Sequence, residues 1–371
     1  MSRPCGSRIA HIVSTAVHLL IDAWPDGWQK TLVDVDRHPK PAYFAFREAL
    51  TPLMVDLRTD RLHYFAGEKL AVEFWVCNDR RAAYSNGTLL WEVLRGGNRV
   101  FAQSAPASIP SFGAAFQGYF HFQTPAVTQR ERLTLRVGLK DPSGELLHDS
   151  KMEVEVFPAF DKTKNAGVEV AIVGPPNGRA WKLAAALGLK PHVFSPIRDT
   201  ALLAFVDDVD AFEMVRGSLS SFAERGGTAI FLEQPADTVW HLDGGDVAIK
   251  GMTGREFVSR KTGHPLVASF QPLDFSYWYD AEKDYIEYVA TCYLNGDNLA
   301  PILHTSDVVK PGDPDPKRTV RPIAAERRTG KGSVILSQLK APERVAHEPI
   351  AAAYYQALID RAIGVTQRPS R

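Results

Sequence analysis

The sequence predicts a multidomain protein that combines α/β and all-β architecture, because its hydrophobic periodicity changes twice along 371 residues. A strand, a loop and a helix come first, a series of short strands follows, and alternating strands and helices complete the chain. The predicted domains span residues 1–57, 58–160 and 161–371. At about 150 residues per domain, the length agrees with two or three domains.

The first domain is predicted to be a single strand, loop and helix. An apolar run at 16–21 is typical of a buried strand, and a loop with tryptophan and proline residues follows it. The helix begins near Pro39 and Pro41 and ends before Pro52, because proline is tolerated in a first helical turn but not in a helix interior. A buried strand needs neighbours and covering helices, so residues 1–57 are expected to be incomplete as a domain.

The second domain is predicted to be an antiparallel sandwich of immunoglobulin-like size. Apolar and polar residues alternate in several short runs, which is the period of a half-buried strand. These runs lie at 70–76, 89–94, 118–122, 133–137 and 152–156. Turn signals lie at Asn86-Gly87, at Gly96-Gly97-Asn98 and at Asp141-Pro142-Ser143-Gly144. No cysteine pair is expected to link the two sheets.

The third domain follows a polar linker at 161–165, and here strands and helices alternate. Strands are predicted at 168–174, 192–194, 201–206, 228–233 and 332–339. Helices are predicted through Trp181, at 212–224 and at 349–363. This alternation indicates a largely parallel, doubly wound sheet.

Composition excludes two classes of partner. Lys and Arg total 43 and Asp and Glu total 43, so no basic field attracts nucleic acid or an acidic membrane surface. The apolar stretch at 9–20 is too short to span a bilayer and lacks a small-residue cleavage site. A buried strand is predicted there, with a poor signal peptide as the alternative. Neither nucleic acid nor a membrane is expected as a partner, and the compartment stays open.

The three cysteines, Cys5, Cys77 and Cys292, are far apart and odd in number. They predict neither a disulfide framework nor a CxxC metal site. The sequence also lacks an HExxH motif, a helix with paired carboxylates and a His/Cys cluster. No metal and no cofactor are therefore expected.

The N-terminal segment carries a specific resemblance. Asp22 is followed by Trp24 and Pro25, and the run Pro-Lys-Pro-Ala-Tyr-Phe-Ala-Phe-Arg occupies 39–47. The segment resembles the end of the catalytic barrel in family 2 glycoside hydrolases of the β-mannosidase and β-galactosidase type. In that family the last strand of the TIM barrel leads into an N-D-x-W-P loop and then into the last helix. The resemblance implies that residues 1–57 are a remnant of a TIM barrel.

The other two domains extend this resemblance. The sandwich is similar to the immunoglobulin-like module that follows the barrel in such enzymes, through Phe65-Ala66-Gly67-Glu68 and Val76-Cys77-Asn78-Asp79. The third domain is similar to the flavodoxin-like, glutamine-amidotransferase-like modules of some large bacterial glycosidases. His264-Pro265-Leu266, the segment 274–278 and the segment 330–339 carry that likeness.

The resemblance implies a carbohydrate function without the residues that break the bond. A retaining glycosidase needs two carboxylates about 5 to 5.5 Å apart, and a whole barrel takes about 250 residues. In the family both glutamates lie on earlier strands, which this chain does not contain. The chain is thus expected to be the C-terminal accessory region of a retaining β-glycosidase, not hydrolytic alone and with no catalytic residue of its own.

The partners that follow are a β-glycoside or polysaccharide, bound through the catalytic domain. A homo-oligomer, or association with a separately encoded barrel, is also compatible with the sequence. Two alternatives remain open. The chain could be a non-catalytic carbohydrate-binding or scaffold protein, or its third domain could be a small-molecule hydrolase or amidotransferase.

The candidate substrate-binding residues are Asp22 and Trp24, as vestiges of a sugar site. The family commonly has W-Q-x-N-D where residues 18–22 read His-Leu-Leu-Ile-Asp, which removes a stacking face and a polar contact. The competing interpretation of Trp24 is packing of the loop, because a large aromatic beside proline is ordinarily structural. Asp22 is equally compatible with a loop or cap contact.

The third domain lacks the expected nucleophile. An amidotransferase needs a cysteine on a sharp turn after a strand, but the strand ends at 205–208 and 232–235 carry neither cysteine nor serine. Cys292 is predicted to be a buried inert thiol, and His264 a turn residue. The segment 174–178 is neither GxGxxG nor a P-loop, so a tight connection is predicted instead of a phosphate site. Aromatic residues from Phe275 onward are predicted to pack one face against a neighbouring domain.

Overall fold

A computed structural model describes residues 17, 19–22, 31–197, 199–252, 258–283, 285–306 and 320–364. The chain divides into two compact units, Met1–Pro158 and Ala159–Arg371. Strands dominate the described residues, in several sheets, and four α-helices accompany them. The fold is thus β-rich and multidomain.

The first unit contains one helix and two packed sheets. Its elements are α1 (Pro41–Ala49), β1 (Leu53–Arg58), β2 (His63–Phe65), β3 (Lys69–Asn78), β4 (Tyr84–Arg95), β5 (Asn98–Ile109), β6 (Gly113–Gln123), β7 (Glu131–Lys140) and β8 (Leu146–Phe157). One sheet has the order β1-β3-β6 and the other the order β2-β8-β7-β4-β5. All pairs are antiparallel except β2 with β8. This is the sandwich that the alternating sequence pattern predicts.

The sandwich core forms because alternate residues of each strand point inward. Phe74 of β3 packs on Trp91 of β4 with ring centroids 5.4 Å apart, and on Phe120 of β6 at 4.7 Å. All three side chains are buried. Strand β1 pairs with β3 from Leu53 onward, so the sheet begins before the expected boundary at residue 58.

One turn prediction in the sandwich is correct and one is wrong. Gly96 and Gly97 connect β4 to β5 with positive φ angles of 55° and 83°, as a two-residue hairpin turn requires. Asn86-Gly87 lies inside β4 instead of in a turn. A Cβ atom on Gly87 would lie 3.0 Å from Ile109 Cδ1 and 3.2 Å from the Lys140 carbonyl oxygen. Glycine is therefore needed there for the close approach of the flanking strands.

Cys77 corrects the expectation that no cysteine is paired. It is disulfide-bonded, and its partner lies outside the described residues. The side chain is buried beside Met54 and Ala114 on the β1-β3-β6 sheet.

The N-terminal segment holds less regular structure than the barrel resemblance implies. Of the strand expected at 16–21, residues 17 and 19–21 are described, and among them only Ile21 forms a β-bridge, to Val33. Val33 also bridges to Pro39, directly before α1.

The second unit is built on a seven-stranded sheet. Its elements begin with β9 (Glu169–Val173), α2 (Arg179–Leu187), β10 (Lys190–Val193), β11 (Leu203–Val206), α3 (Val209–Glu224) and β12 (Thr228–Phe231). They continue with β13 (Val239–Trp240), β14 (Val247–Gly251), β15 (Tyr277–Asp280), β16 (Tyr285–Tyr288), β17 (Cys292–Gly296), β18 (Ala300–Ser306), β19 (Val320–Thr329), β20 (Gly332–Ser337) and α4 (Pro349–Ala362).

The strand order of the large sheet is β10-β9-β11-β12-β20-β19-β18. The first five strands are parallel, and β19 and β18 add antiparallel pairs at one side. Helices cover both faces. Phe212 of α3 packs on Phe231 of β12 on one face, and Tyr355 of α4 packs on Phe205 of β11 on the other. The helices begin where predicted because Asp208 and Glu348 cap α3 and α4 with side-chain oxygens.

The segment between β12 and β18 forms two smaller antiparallel sheets, β13-β14-β17 and the hairpin β15-β16. The aromatic residues there do not form the outward face predicted from the sequence. Phe275 and Trp278 are fully buried inside this unit, and the Trp278 indole N–H donates to the Asp274 carbonyl at 2.7 Å. Tyr277 and Tyr288 pair across the hairpin with centroids 5.5 Å apart.

Candidate functional sites

The first candidate is the loop that contains Asp22. Lys40 Nζ lies 2.7 Å from Asp22 Oδ2 and 2.6 Å from Thr31 Oγ1, and Asp22 is buried. The lysine of the Pro-Lys-Pro motif thereby ties the loop to the start of α1. This contact is the loop role that the sequence allowed for Asp22. Trp24 lies outside the described residues.

Helix α1 leaves an apolar surface uncovered. None of its residues is buried, although Tyr43, Phe44 and Phe46 recur at helical spacing. Phe44 is 46% exposed, and Leu50, just after the helix, is 53% exposed. A groove of about 500 Å³ runs beside α1. It is lined by Leu20, Leu32, Tyr43, Phe46, Arg47, Leu50, Thr51 and Pro52. We call it the α1 groove.

The β1-β3-β6 sheet presents aromatic rings on its outer face. Phe116 lies opposite Trp75 across β3 and β6, with ring centroids 5.3 Å apart, and Tyr119 lies 5.2 Å from Phe116. Phe116 is 45% and Tyr119 62% exposed. The Trp75 indole N–H donates to the Glu73 carboxylate, which holds the ring in place.

The second unit has a cluster of polar side chains at the carboxyl edge of its parallel strands. The order of the sheet reverses at β9, because β10 lies on one side of it and β11 on the other. Ligands of open α/β sheets bind outside the carboxyl ends of the strands at such a point. Here Arg179, at the start of α2, meets Asp207, which follows β11. Arg179 Nε and Nη2 lie 3.0 and 2.6 Å from Asp207 Oδ1.

The carboxylate of Asp207 also occupies the helix N-terminus. Its Oδ2 accepts the backbone N–H of Ala180 at 3.3 Å, where an anionic ligand would otherwise find the free amides of α2. Gly178 precedes the helix in a turn so tight that a Cβ atom there would lie 2.9 Å from the Pro175 carbonyl oxygen. The segment 174–178 is therefore a tight connection, as predicted.

Glu233 lies next along this edge, just after β12. Its side chain is 20% exposed, and the closest cationic atom to its carboxylate is Arg179 Nη1 at 3.8 Å. Among the described residues, no hydrogen bond reaches that carboxylate. Burial and the nearby carboxylate of Glu343 raise the pKa of Glu233, against the opposing charges of Arg179, Lys340 and Arg344.

Two buried donors adjoin Glu233. Gln338 follows β20 and is 1% exposed, and its Oε1 accepts the backbone N–H of Gln234 at 3.3 Å. That bond fixes the orientation of the amide, and its Nε2 finds no partner. Arg344 is 5% exposed and gives Nη2 to Glu287 at 2.6 Å and to Asp280 at 3.2 Å, while its buried Nη1 also lacks a partner.

The predicted nucleophile position remains without a nucleophile. Cys292 begins β17, is buried, and has a thiol pKa that burial raises, so the reactive thiolate is disfavoured. His264 caps a short 3₁₀ turn, with Nδ1 accepting the Leu266 N–H, and its Nε2 lies 3.0 Å from Glu326 Oε2. Both residues have structural roles, as the sequence indicated.

The described residues contain no group of three or more His, Cys, Asp or Glu side chains arranged to hold a metal ion. In the same part of the chain, no helix has the length and apolar character needed to cross a membrane.

No family model and no curated protein matches the sequence. Solved structures show partial likeness. The cold-adapted β-galactosidase from Rahnella sp. R3 is similar with 15% identity and a TM-score of 0.33, over 54% of this chain and 32% of that enzyme. The chain therefore spans about a third of the length of this β-galactosidase.

Two other similar structures are smaller. The CARDB domain of a Pyrococcus furiosus protein, solved in complex with di-metal ions, has 13% identity and a TM-score of 0.23 over 29% of this chain and 94% of that domain. The sporulation control protein Spo0M from Bacillus subtilis has 13% identity and a TM-score of 0.22 over 32% of this chain and 54% of that protein. The class that the fold defines is a β-rich, multidomain protein.

Proposed function

We propose that this chain is an accessory region of a retaining β-glycosidase and that the α1 groove receives the catalytic barrel. The observation that carries the proposal is α1 itself. A helix with three aromatic residues and no buried side chain leaves apolar area in water, and each side chain of this size gains about 1.5–3 kcal/mol on full burial. A surface of this kind marks an interaction site.

The motif contacts support the same proposal. Lys40 and Asp22, which the resemblance places in the last loop and helix of a barrel, are joined by an ion pair. The two catalytic glutamates would come from the barrel, and the chain would contribute structure next to the sugar site. Asp22 and Trp24 are the proposed vestigial sugar contacts.

The second unit fits the proposal as a flavodoxin-like, amidotransferase-like module without a nucleophile. Its strand order is the one expected of a doubly wound sheet, and Asp207 and Glu233 stand where a nucleophile would follow β11 and β12. Such a module would serve in binding or assembly.

The proposal is tested first with the purified chain and a panel of aryl β-glycosides. No turnover above background is expected, since the chain has no pair of catalytic carboxylates. Turnover that persists through repurification would contradict the proposal.

The association is tested with a barrel domain encoded beside this gene, recognised by two suitably spaced glutamate codons. Co-expression should give a complex that hydrolyses aryl β-glycosides with retention. Leu50→Glu should abolish the complex, because it places a charge in the α1 groove. The matched control is Leu146→Glu, since Leu146 is similarly exposed at 48% but lies on β8. A barrel that neither binds the chain nor depends on it for activity would overturn the proposal.

A second candidate function is non-catalytic carbohydrate binding by the sandwich. The exposed rings of Phe116 and Tyr119 favour it, because aromatic faces stack on the C–H faces of sugars and the tyrosine hydroxyl can hydrogen-bond. A glycan array followed by calorimetry should then find a polysaccharide whose binding Tyr119→Ala removes. Binding that survives this substitution would exclude the surface.

A further inference from the structure

The carboxyl edge of the parallel sheet combines features that the ion pair of Arg179 and Asp207 does not explain. Three polar groups adjoin one another there and remain without a short hydrogen bond among the described residues. They are the carboxylate of Glu233, the amide Nε2 of Gln338 and the Nη1 of Arg344. Buried polar groups are normally hydrogen-bonded, so each unsatisfied group calls for an occupant.

These groups share one place in the fold. Glu233 and Gln234 follow β12, and Gln338 follows its neighbour β20. The hydrogen bond from the Gln234 amide to Gln338 Oε1 places the carboxamide beside the Glu233–Gln234 peptide. Arg344 is near enough to influence the charge of Glu233. The donors and the carboxyl therefore face a common region at the end of two adjacent parallel strands, where α/β sheets bind ligands.

The groups themselves select the chemistry of the occupant. An anion would satisfy the two N–H donors but would be repelled by Glu233 and Glu343. A cation would pair with Glu233 but would leave both donors unsatisfied and would be repelled by Arg179, Lys340 and Arg344. A hydroxyl group both accepts from an N–H and donates to a carboxylate. Several hydroxyl groups on one neutral molecule meet all three requirements together.

We infer that Glu233, Gln338 and Arg344 form a binding site for a small neutral polyhydroxyl molecule of the monosaccharide class. One hydroxyl accepts from Gln338 Nε2, another accepts from Arg344 Nη1, and a hydroxyl hydrogen goes to the Glu233 carboxylate. The free amides of α2 take no part, because Asp207 already caps that helix. The site does not depend on the proposed partnership with a catalytic barrel, and it lies in a different unit from the exposed rings of the sandwich.

The test uses the full chain and three probes, the methyl β-glycosides of galactose, mannose and glucose. Saturation-transfer NMR and calorimetry should show saturable binding of at least one of them. Glu233→Gln and Gln338→Leu should each weaken that binding about tenfold, which is the effect of losing one hydrogen bond to a buried partner. Both substitutions preserve side-chain volume, and thermal unfolding checks that each variant is folded.

Two control substitutions distinguish this site from sugar binding elsewhere on the protein. Tyr119→Ala changes the sandwich surface and should leave the binding unchanged, whereas a sugar bound there would be lost. Glu213→Gln removes an exposed carboxylate of α3 that pairs with Arg216, and it too should have no effect. The charged analogues methyl β-glucuronide and glucosamine should bind more weakly than methyl β-glucoside.

The inference is overturned by any of three results. None of the three glycosides binds, which would mean that water alone fills the site. Binding is unaffected by both Glu233→Gln and Gln338→Leu. A charged analogue binds more tightly than the neutral sugar. Failure of the aryl-glycoside or barrel experiments would not alter these outcomes, so the two proposals fail separately.

Discussion

Asp207 accepts the guanidinium of Arg179 at 2.6 Å across the point where the order of the parallel sheet reverses. The same carboxylate caps α2, so a protein side chain fills the position that a negatively charged ligand takes in other sheets of this kind. The helix N-terminus is thus closed to phosphate, and binding at this edge shifts toward the end of β12.

Asp207→Ala should destabilise the chain by about 2 kcal/mol. It removes a buried carboxylate and leaves Arg179, which is about a third exposed, without its main partner. The neighbouring Asp208→Ala removes only the cap of α3 and should cost about 1 kcal/mol. Urea unfolding followed by far-UV circular dichroism measures both. Equal losses would show that the ion pair adds nothing to capping.

Gly188→Ala should destabilise the chain by about 2 kcal/mol more than Gly364→Ala. Both glycines follow a helix with φ of +76°, so the backbone strain of alanine is the same at each. A Cβ atom on Gly188 would lie 2.3 Å from the Lys162 carbonyl oxygen, whereas Gly364 has no neighbour within 4 Å. The difference in unfolding free energy isolates this backbone contact, and no difference would contradict it.

Glu326 should make stability depend on pH in the acid range. Burial alone would raise its pKa, but hydrogen bonds from His264 and Arg361 and the charge of Arg361 outweigh burial and lower the pKa to about 2. A lowered pKa stabilises the fold above the unfolded value of 4.5, and that stability is lost as the pH falls from 4.5 toward 2.

The measurement for Glu326 is the unfolding free energy of the wild type minus that of Glu326→Gln. The difference should reach about 3 kcal/mol at pH 6 and shrink steadily below pH 4.5. Glu282→Gln, in an exposed turn, should give a difference near zero at every pH. A difference for Glu326→Gln that is constant from pH 6 to pH 2.5 would contradict the assignment.

Cys292 should resist thiol reagents in the folded protein. Its burial and raised pKa keep it as the unreactive thiol at pH 7. Labelling by iodoacetamide, located by peptide mass spectrometry, should be at least about a hundredfold slower than in urea. A thiol-reactive glutamine analogue should leave the residue unmodified. Rapid labelling in the native state would revive the amidotransferase alternative.

Much of the second unit is predictable from sequence because its signals are local. Helix α3 occupies Val209–Glu224 where 212–224 is expected, since apolar periodicity and the capping Asp208 act within one segment. Strand β5 is not predictable in this way. It exposes most of its residues and is rich in serine, alanine and glutamine, so the apolar alternation that identifies a strand is missing.

The candidate site depends on pairing that sequence does not reveal. Glu233 and Gln338 adjoin because β12 and β20 are neighbours, although two small sheets and two further strands separate them in the chain. Polar residues directly after buried strands were the available signal, and at 232–235 they read only as the absence of a nucleophile. Gly87 fails similarly, because its need for glycine arises from Ile109 and Lys140 on other strands.

Strand β10 gives the large sheet an edge that resists extension. Lys190 and Phe194 donate their amides inward to β9, so the alternate residue Pro191 faces the open side. Proline has no N–H to offer, and an incoming strand would lose a hydrogen bond at the centre of this four-residue edge. The edge that would most readily recruit another chain into fibre-like stacking is thereby blunted, and concentrated solutions of the protein are protected from aggregation along that side.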